Sequence, residues 1–324
     1  MSGRGRTAAD TLITALAPMV WGSTYLVTTE FLPPDRPLLA ALTRALPAGL
    51  ILLLITRALP KGVWWWRALV LGTLNIGAFL YLLYIAAYLL PGGVAALVMA
   101  VQPVIVLLLG ALVLRETIRP AHALACLLGA LGVALLVVGP EAALNPVGVM
   151  AGLLGAVCMG SGIVLAKRWG RPEGVGVLAT TGWQLTAGGL VLLLPTLLLE
   201  GLPSSITMAN LGGYVHLGLF GALLSYVVWF RGIERLPALA VSFMSFASPL
   251  TATLLGFLVL NETLTMTQGL GALATVGAVL LVQLTAYRPP RRPASASESG
   301  EARPEPVVPG DEPVSGQYTR TTGG

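Results

Sequence analysis

The sequence predicts an all-α integral membrane protein of ten transmembrane helices, built as two inverted-topology five-helix repeats. Three observations carry that prediction. The chain of 324 residues is 56% hydrophobic and only 10% charged, whereas an ordinary soluble chain carries about 25% charged residues. Such a composition cannot furnish the polar surface of a soluble globule, but it can furnish a surface for lipid. Second, the stretch Leu90–Arg119 recurs at Leu236–Thr265 with an offset of 146 residues. Pro91, Pro103, Gly110, Leu112, Val113, Leu114, Glu116 and Thr117 fall on Pro237, Pro249, Gly256, Leu258, Val259, Leu260, Glu262 and Thr263. A duplication on this scale means two halves built alike. Third, the basic residues are distributed one-sidedly, as described below.

A bilayer-spanning helix needs about 20 mostly apolar residues. The segments that qualify run approximately Asp10–Thr29, Pro37–Ile55, Trp66–Leu90, Gly92–Leu114, Ala121–Val138, Pro146–Ala166, Gly174–Leu199, Leu211–Phe230, Leu236–Leu260 and Gln268–Thr285. Their connectors are short and carry Pro, Gly or charge, as turns between neighbouring helices do. In the first segment, Ala15-Leu16-Ala17 imitates a signal-peptidase site. The apolar run before it is only about five residues, short of the roughly 7–15 of a signal's apolar region. The run continues to Thr28, so a retained first helix is expected.

With the N-terminus placed in the cytoplasm and sides alternated, 17 of the 19 Lys and Arg fall on the cytoplasmic side. They are Arg4 and Arg6; Arg57, Lys61 and Arg67; Arg115 and Arg119; Lys167, Arg168 and Arg171; Arg231 and Arg235; and Arg288, Arg291, Arg292, Arg303 and Arg320. Arg36 falls in an outer loop and Arg44 within a span. This is a positive-inside pattern, and it places both termini in the cytoplasm of an inner (plasma) membrane protein. It also explains a pI near 9.5 without nucleic acid as a partner. Five helices per half is an odd number, so the halves enter the membrane in opposite orientations. Arg115 and Arg119 of the first copy accordingly become Asn261 and Thr265 in the second. Inverted repeats are a recurrent architecture of secondary transporters, with the substrate site near the midplane between the repeats.

Other pieces of the halves align at offsets of 138 to 146. Gly22-Ser23 matches Gly160-Ser161, the run from Arg44 to Leu50 matches that from Gln184 to Leu190, and Gly132 matches Gly277. The expected organisation is a short N-terminal tail (1–9), a first repeat (10–140), a second repeat (141–287) and a disordered cytoplasmic tail (288–324). The tail is rich in Pro, Ser, Glu and Gly, and Arg288, Arg291 and Arg292 at its start can meet anionic lipid.

Trp21-Gly22-Ser23-Thr24, Arg44, the run Asn75 to Leu90 followed by Pro91-Gly92-Gly93-Val94-Ala95, Gln102-Pro103 and the paired Leu-x-Glu-Thr ends resemble the EamA family of the drug/metabolite transporter superfamily. The resemblance covers about residues 10 to 286. It implies ten helices, a central cavity between the halves, and export of small metabolites or drugs by alternating access. It does not name a substrate.

The residues suggest where such a cavity lies. Arg44 is a lone basic residue in the body of a span, roughly 10 Å past Pro37 at 1.5 Å per residue. A charge there costs about 2.5–3.5 kcal/mol on insertion scales. It reads either as a structural arginine tying helices together or as an anchor for a substrate carboxylate. Its counterpart Gln184 is neutral. Ala95, Met99, Gln102 and Val106 share one helix face by their spacing, as do Val241, Ser245, Ser248 and Ala252. Cavity lining is expected for Met99, Gln102, Ser245 and Ser248, and small-residue packing for Gly92, Gly93, Ala95, Ala96 and Ala252. Pro103 and Pro249 remove a backbone hydrogen bond at matching places and read as hinges or static bends. Trp21, Tyr25, Asn75, Phe79 and Tyr226 are aromatic or polar and deep, and suit an amphiphilic or zwitterionic solute. Trp64, Trp65 and Trp66 beside Arg67 suit the membrane interface instead.

Chemistry other than transport lacks its residues. The carboxylates Asp10, Glu30, Glu116, Glu200, Glu234 and Glu262 all lie at helix ends. His216 is a single histidine well inside a span, and Cys126 and Cys158 sit in apolar runs. No His-Glu-x-x-His, Gly-x-Ser-x-Gly or phosphate-binding loop occurs, so neither an enzyme nor ATP-driven transport is expected, and no cofactor or metal is implied. The expected partners are a small-molecule substrate and membrane lipids, with monomer and homodimer both open. Lipid-linked sugar or nucleotide-sugar carriage is the rival within transport, and a membrane scaffold the rival outside it.

Overall fold

A computed structural model of the chain describes residues 3–90, 95, 98–137, 145–203, 205–259 and 265–286. The expectations for Pro91, Gly92, Gly93, Ala96, Leu260, Glu262, Thr263 and the C-terminal tail lie outside the described residues. The described residues are helical and contain no strand. Seven helices of 20 to 28 residues are long and apolar enough to cross a membrane, and three shorter apolar helices accompany them. We label them α1 (Gly3–Phe31), α2 (Pro37–Thr56), α3 (Trp64–Leu89), α4 (Gln102–Leu114), α5 (Pro120–Val137), α6 (Pro146–Trp169), α7 (Val177–Glu200), α8 (Met208–Arg235), α9 (Ala238–Val259) and α10 (Met266–Ala286).

The outer surface tells which solvent this bundle needs. Leu54 is 74% exposed, Leu112 79% and Leu198 73%, and many other large apolar side chains point outward with them. Continuous apolar exposure of this kind is unstable against water and stable against acyl chains. Between helices the side chains are small. A Cβ on Gly49 (α2) would meet Thr186 Oγ1 at 2.6 Å, and one on Gly189 (α7) would meet Leu46 Cβ at 2.7 Å. Gly182 faces Leu52. Because the numbers rise on one helix as they fall on the other, α2 and α7 run antiparallel. The same holds for α5 and α10, where Gly132 abuts Thr275, Gly277 approaches Leu128 and Arg119 donates to the Thr285 carbonyl at 2.6 Å. Small residues let the backbones approach closely, which is how helices gain packing energy where lipid offers no hydrophobic driving force. The remaining contacts come in matched sets: α3 packs on α6 as α1 packs on α8, and α4 on α6 as α1 on α9.

The mid-helix prolines have a different setting from the expected kink. Residues 100–101 and 245–246 are non-helical turns at matching positions. Pro103 and Pro249 follow directly, Pro103 in the first turn of the restarted helix. There the missing N–H has no partner to lose. The chain is therefore broken at two equivalent places, rather than bent within a continuous helix.

Charged groups tie the helix ends. Glu200, ending α7, accepts from the Leu38 and Leu39 backbone N–H at 2.7 and 2.8 Å, and Arg36 donates to the Glu200 and Gly201 carbonyls at 3.0 and 3.1 Å. Each residue thus caps the other's helix, satisfying end groups that the helix leaves open. At the opposite end Asp10 of α1 pairs with Arg231 at 2.6 Å and Arg235 at 3.2 Å of α8. Lys167 donates to the carbonyls of Ile233, Glu234 and Leu236 at 2.9 to 3.0 Å. Glu200→Ala should cost about 1–2 kcal/mol, the usual scale of a lost N-terminal cap. The check is a lower melting temperature, with Glu200→Gln in between because it keeps one acceptor oxygen.

Glu116, just past α4, titrates in this region. Burial raises its carboxyl pKa above the ordinary carboxylate range, while the Lys167 ammonium pulls the other way. A raised folded-state pKa gives stability that is complete below the unfolded value and lost as pH rises through the folded one. Glu116→Gln should therefore melt higher than the parent at pH 7 to 8, with the gap closing by about pH 4, near the unperturbed glutamate value. Thermal unfolding across that range checks it.

Candidate substrate cavity

A cavity lies among α1, α2, α3, α4, α6 and α9. Trp21, Thr24 and Tyr25 line it from α1, Arg44 from α2, Phe79 and Leu83 from α3, and Met159 from α6. Met99, Ala100 and Gln102 line it at the α4 break, and Ser245, Phe246, Ser248 and Pro249 at the α9 break. Eight expected binding residues thus share one site: Trp21, Tyr25, Arg44, Phe79, Met99, Gln102, Ser245 and Ser248. Its free volume, about 60 Å³, is well below the roughly 300–1,000 Å³ of a drug-sized ligand site.

Three expected residues, Asn75, Gln184 and Tyr226, do not line it. Asn75 and Phe79 are one turn apart and would share a face in a regular helix. Residues 73–77, however, form a π-type turn. An added residue per turn rotates what precedes it by about 100°. Asn75, within that turn, meets α7, where its amide donates to Gln184 Oε1 at 3.0 Å. Gln184 lines a second, smaller pocket with Trp64, Ala68, Leu71, Trp183 and Glu234. Tyr226 is fully buried behind the cavity, its ring 5.2 Å from Trp21 and 5.8 Å from Phe230, with no hydrogen-bond partner for its hydroxyl.

Arg44 is 1% exposed and has no carboxylate partner among the described residues. Its guanidinium donates to the Gly221 carbonyl at 2.9 Å, Thr24 Oγ1 at 3.2 Å and Tyr84 Oη at 3.5 Å, and its Nε is unpartnered. The Gly221 carbonyl also accepts from Trp21 Nε1 at 2.9 Å. Residues 219–224 form another π-type turn, which matches the one around Asn75 with the 146-residue offset. Each half therefore sets a polar residue of α2 or α7 against a π-type turn of α8 or α3. In one half that residue is charged. A buried charge with only neutral partners is costly, and an anion in the adjoining cavity would offset that cost. Gln102 adds a second buried donor, its Nε2 without a partner. Ser245 Oγ is committed to the Ser242 carbonyl at 2.5 Å.

His216 hydrogen-bonds through Nε2 with Ser23 Oγ at 2.8 Å, tying α8 to α1. Thr24, Leu83, Ala100, Met159 and Phe246 line it beyond the expected set. The i, i+3 spacing of Thr24 from Trp21 was the available signal, whereas nothing marks Phe246.

Comparison with known proteins places this geometry. The EamA-like transporter family profile matches residues 10–138 and again 146–284. Protein PecM of Dickeya dadantii is 50% identical over 267 residues, covering 82% of this chain and 90% of that protein. The uncharacterized inner membrane transporter YedA of Escherichia coli K12 is 30% identical over 299 residues, 89% of this chain and 94% of that one. A protein crystal structure shares the fold at a TM-score of 0.71 and 23% identity, covering 86% of this chain and 98% of that chain.

Proposed function

The chain belongs to the EamA-like transporter family, and from that premise we propose that it is a secondary transporter exporting a small, carboxylate-bearing metabolite through the Arg44 cavity. Amino acids and related carboxylate or amine compounds are the substrate class this reading favours. The observation that carries it is the buried guanidinium, with an unpartnered Nε and no counter-ion among the described residues, at the wall of a cavity that also receives Trp21, Tyr25 and Gln102.

We read the chain as ten crossings in two inverted repeats, 10–140 and 141–287, with both termini in the cytoplasm. Antiparallel packing of α2 on α7 and of α5 on α10 supports inversion, because equivalent helices related by an axis along the membrane normal would run parallel. The narrowness of the cavity supports alternating access: a metabolite fits only if the helices part, and the breaks before Pro103 and Pro249 are where α4 and α9 can reorient.

The test is an export profile. The intact chain and an Arg44→Gln/Gln102→Ala variant, at equal membrane abundance in a bacterial host, are compared for metabolites in medium and cytosol. Carboxylates accumulating outside only with the intact chain bear the proposal out. Identical profiles for both forms and the empty host would refute it.

A further inference from the structure

Two grooves on the outside of the bundle are equivalent by the repeat. One lies among the end of α2, α3 and α7, the other among α2, α8 and the loop after α7; each holds about 550 Å³. Their walls correspond at several positions: Trp183, Ala187 and Val191 stand where Thr43, Pro47 and Ile51 stand in the other, and Trp65 and Leu69 where Leu211 and Val215 stand. Both are apolar and face the surface where large aliphatic side chains are exposed.

Their mouths differ. The first is closed by Leu59 and Pro60, flanked in the chain by the exposed cations Arg57 and Lys61. Neither cation has a side-chain hydrogen bond or ion pair among the described residues. The corresponding loop of the second groove, Gly201 to Thr207, contains no cation. Asymmetric partition of Lys and Arg across a membrane accounts for more cations on one side; it does not require two free ones at the mouth of an apolar groove. Arg67 nearby is already engaged, stacked 5.2 Å from the Trp64 ring and 5.5 Å from that of Trp169.

We propose that the α2–α3–α7 groove binds one anionic glycerophospholipid, its acyl chain along Trp65, Leu69, Ala187 and Leu190 and its phosphate at Arg57 and Lys61. Trp183 and Ala68 line both this groove and the interior pocket that holds Gln184, so the lipid chain rests against that pocket's wall. The inference needs the chain to be embedded in a bilayer; it does not depend on the substrate or the direction of transport.

Native mass spectrometry of the full chain in neutral detergent tests it, with phosphatidylglycerol and phosphatidylcholine of identical acyl chains as probes. One phosphatidylglycerol should be retained at least about fivefold more than phosphatidylcholine, cations near the surface each favouring an anionic headgroup. Arg57→Gln/Lys61→Gln should reduce retention to the phosphatidylcholine level. Arg115→Gln/Arg168→Gln, which removes two exposed cations elsewhere, should not. Leu190→Trp, which fills the groove, should also lower retention at an unchanged melting temperature. Equal retention of the two lipids, equal behaviour of the two double variants, or a dimer forming in place of the lipid adduct would overturn the proposal.

Discussion

Replacing Arg44 with methionine is expected to abolish or severely weaken transport without destabilising the protein. The guanidinium is buried and uncompensated: among the described residues it meets a carbonyl and two hydroxyls, but no carboxylate. Exchanging a buried charge for an apolar side chain of similar volume is often neutral or stabilising. Of the groups left behind, the Gly221 carbonyl still accepts from Trp21, while Thr24 Oγ1 and Tyr84 Oη lose the Arg44 donor at 3.2 and 3.5 Å, a cost that offsets part of the gain from removing the buried charge. A substrate carboxylate would lose a charge-assisted bond worth about 1.5–3 kcal/mol, so apparent affinity should fall roughly 10- to 150-fold. Arg44→Lys should recover only part of this, because an ammonium keeps the charge and loses the planar fork. Transport kinetics and melting temperature on the same purified variants check both halves. A purely structural arginine would give the opposite result: a lower melting temperature, with transport per folded molecule unchanged.

A large effect on folding is expected at Gly49 and Gly189. A methyl at Gly49 would lie 2.8 Å from the Leu185 carbonyl carbon, and one at Gly189 2.8 Å from Leu46 Cα. Both obstacles include backbone, which cannot rotate aside. Gly49→Ala and Gly189→Ala should each cost at least the roughly 1–3 kcal/mol typical of overpacking, seen as a marked fall in melting temperature or in folded yield. Gly212, on exposed α8, has nothing within 4 Å of an added Cβ. Gly212→Ala should be neutral or gain up to about 1 kcal/mol of helix propensity. Similar destabilisation at all three positions would contradict the α2–α7 contact.

Much of this molecule could be read before its structure. Apolar runs of membrane-crossing length marked the helices, because a lipid-facing helix must be apolar along its length. The cavity was legible where the helix stays regular: spacing alone brought Trp21 and Tyr25 to one face, whereas Met99 and Gln102 reach the same cavity across the turn at 100–101. It failed at the π-type turns. No residue type announces the turn at 73–77, within which Asn75 bonds to Gln184, 109 positions away, rather than lining the cavity with Phe79. The turn at 219–224 likewise exposes the Gly221 carbonyl that receives Arg44 and Trp21. The matched prolines pointed to the right places but the wrong geometry, since a proline signals a change in the helix without saying whether it bends or restarts.

The central claim is that the residues around Arg44 line a path open in turn to each side of the membrane. Its most direct test is thiol accessibility at Ser248→Cys, in a chain whose free cysteines Cys126 and Cys158 are replaced by alanine. A membrane-impermeant thiol reagent is applied to right-side-out and inside-out vesicles. The account predicts labelling from both sides, and protection from both by a transported carboxylate. Labelling from one side only, or labelling that no substrate alters, would contradict it.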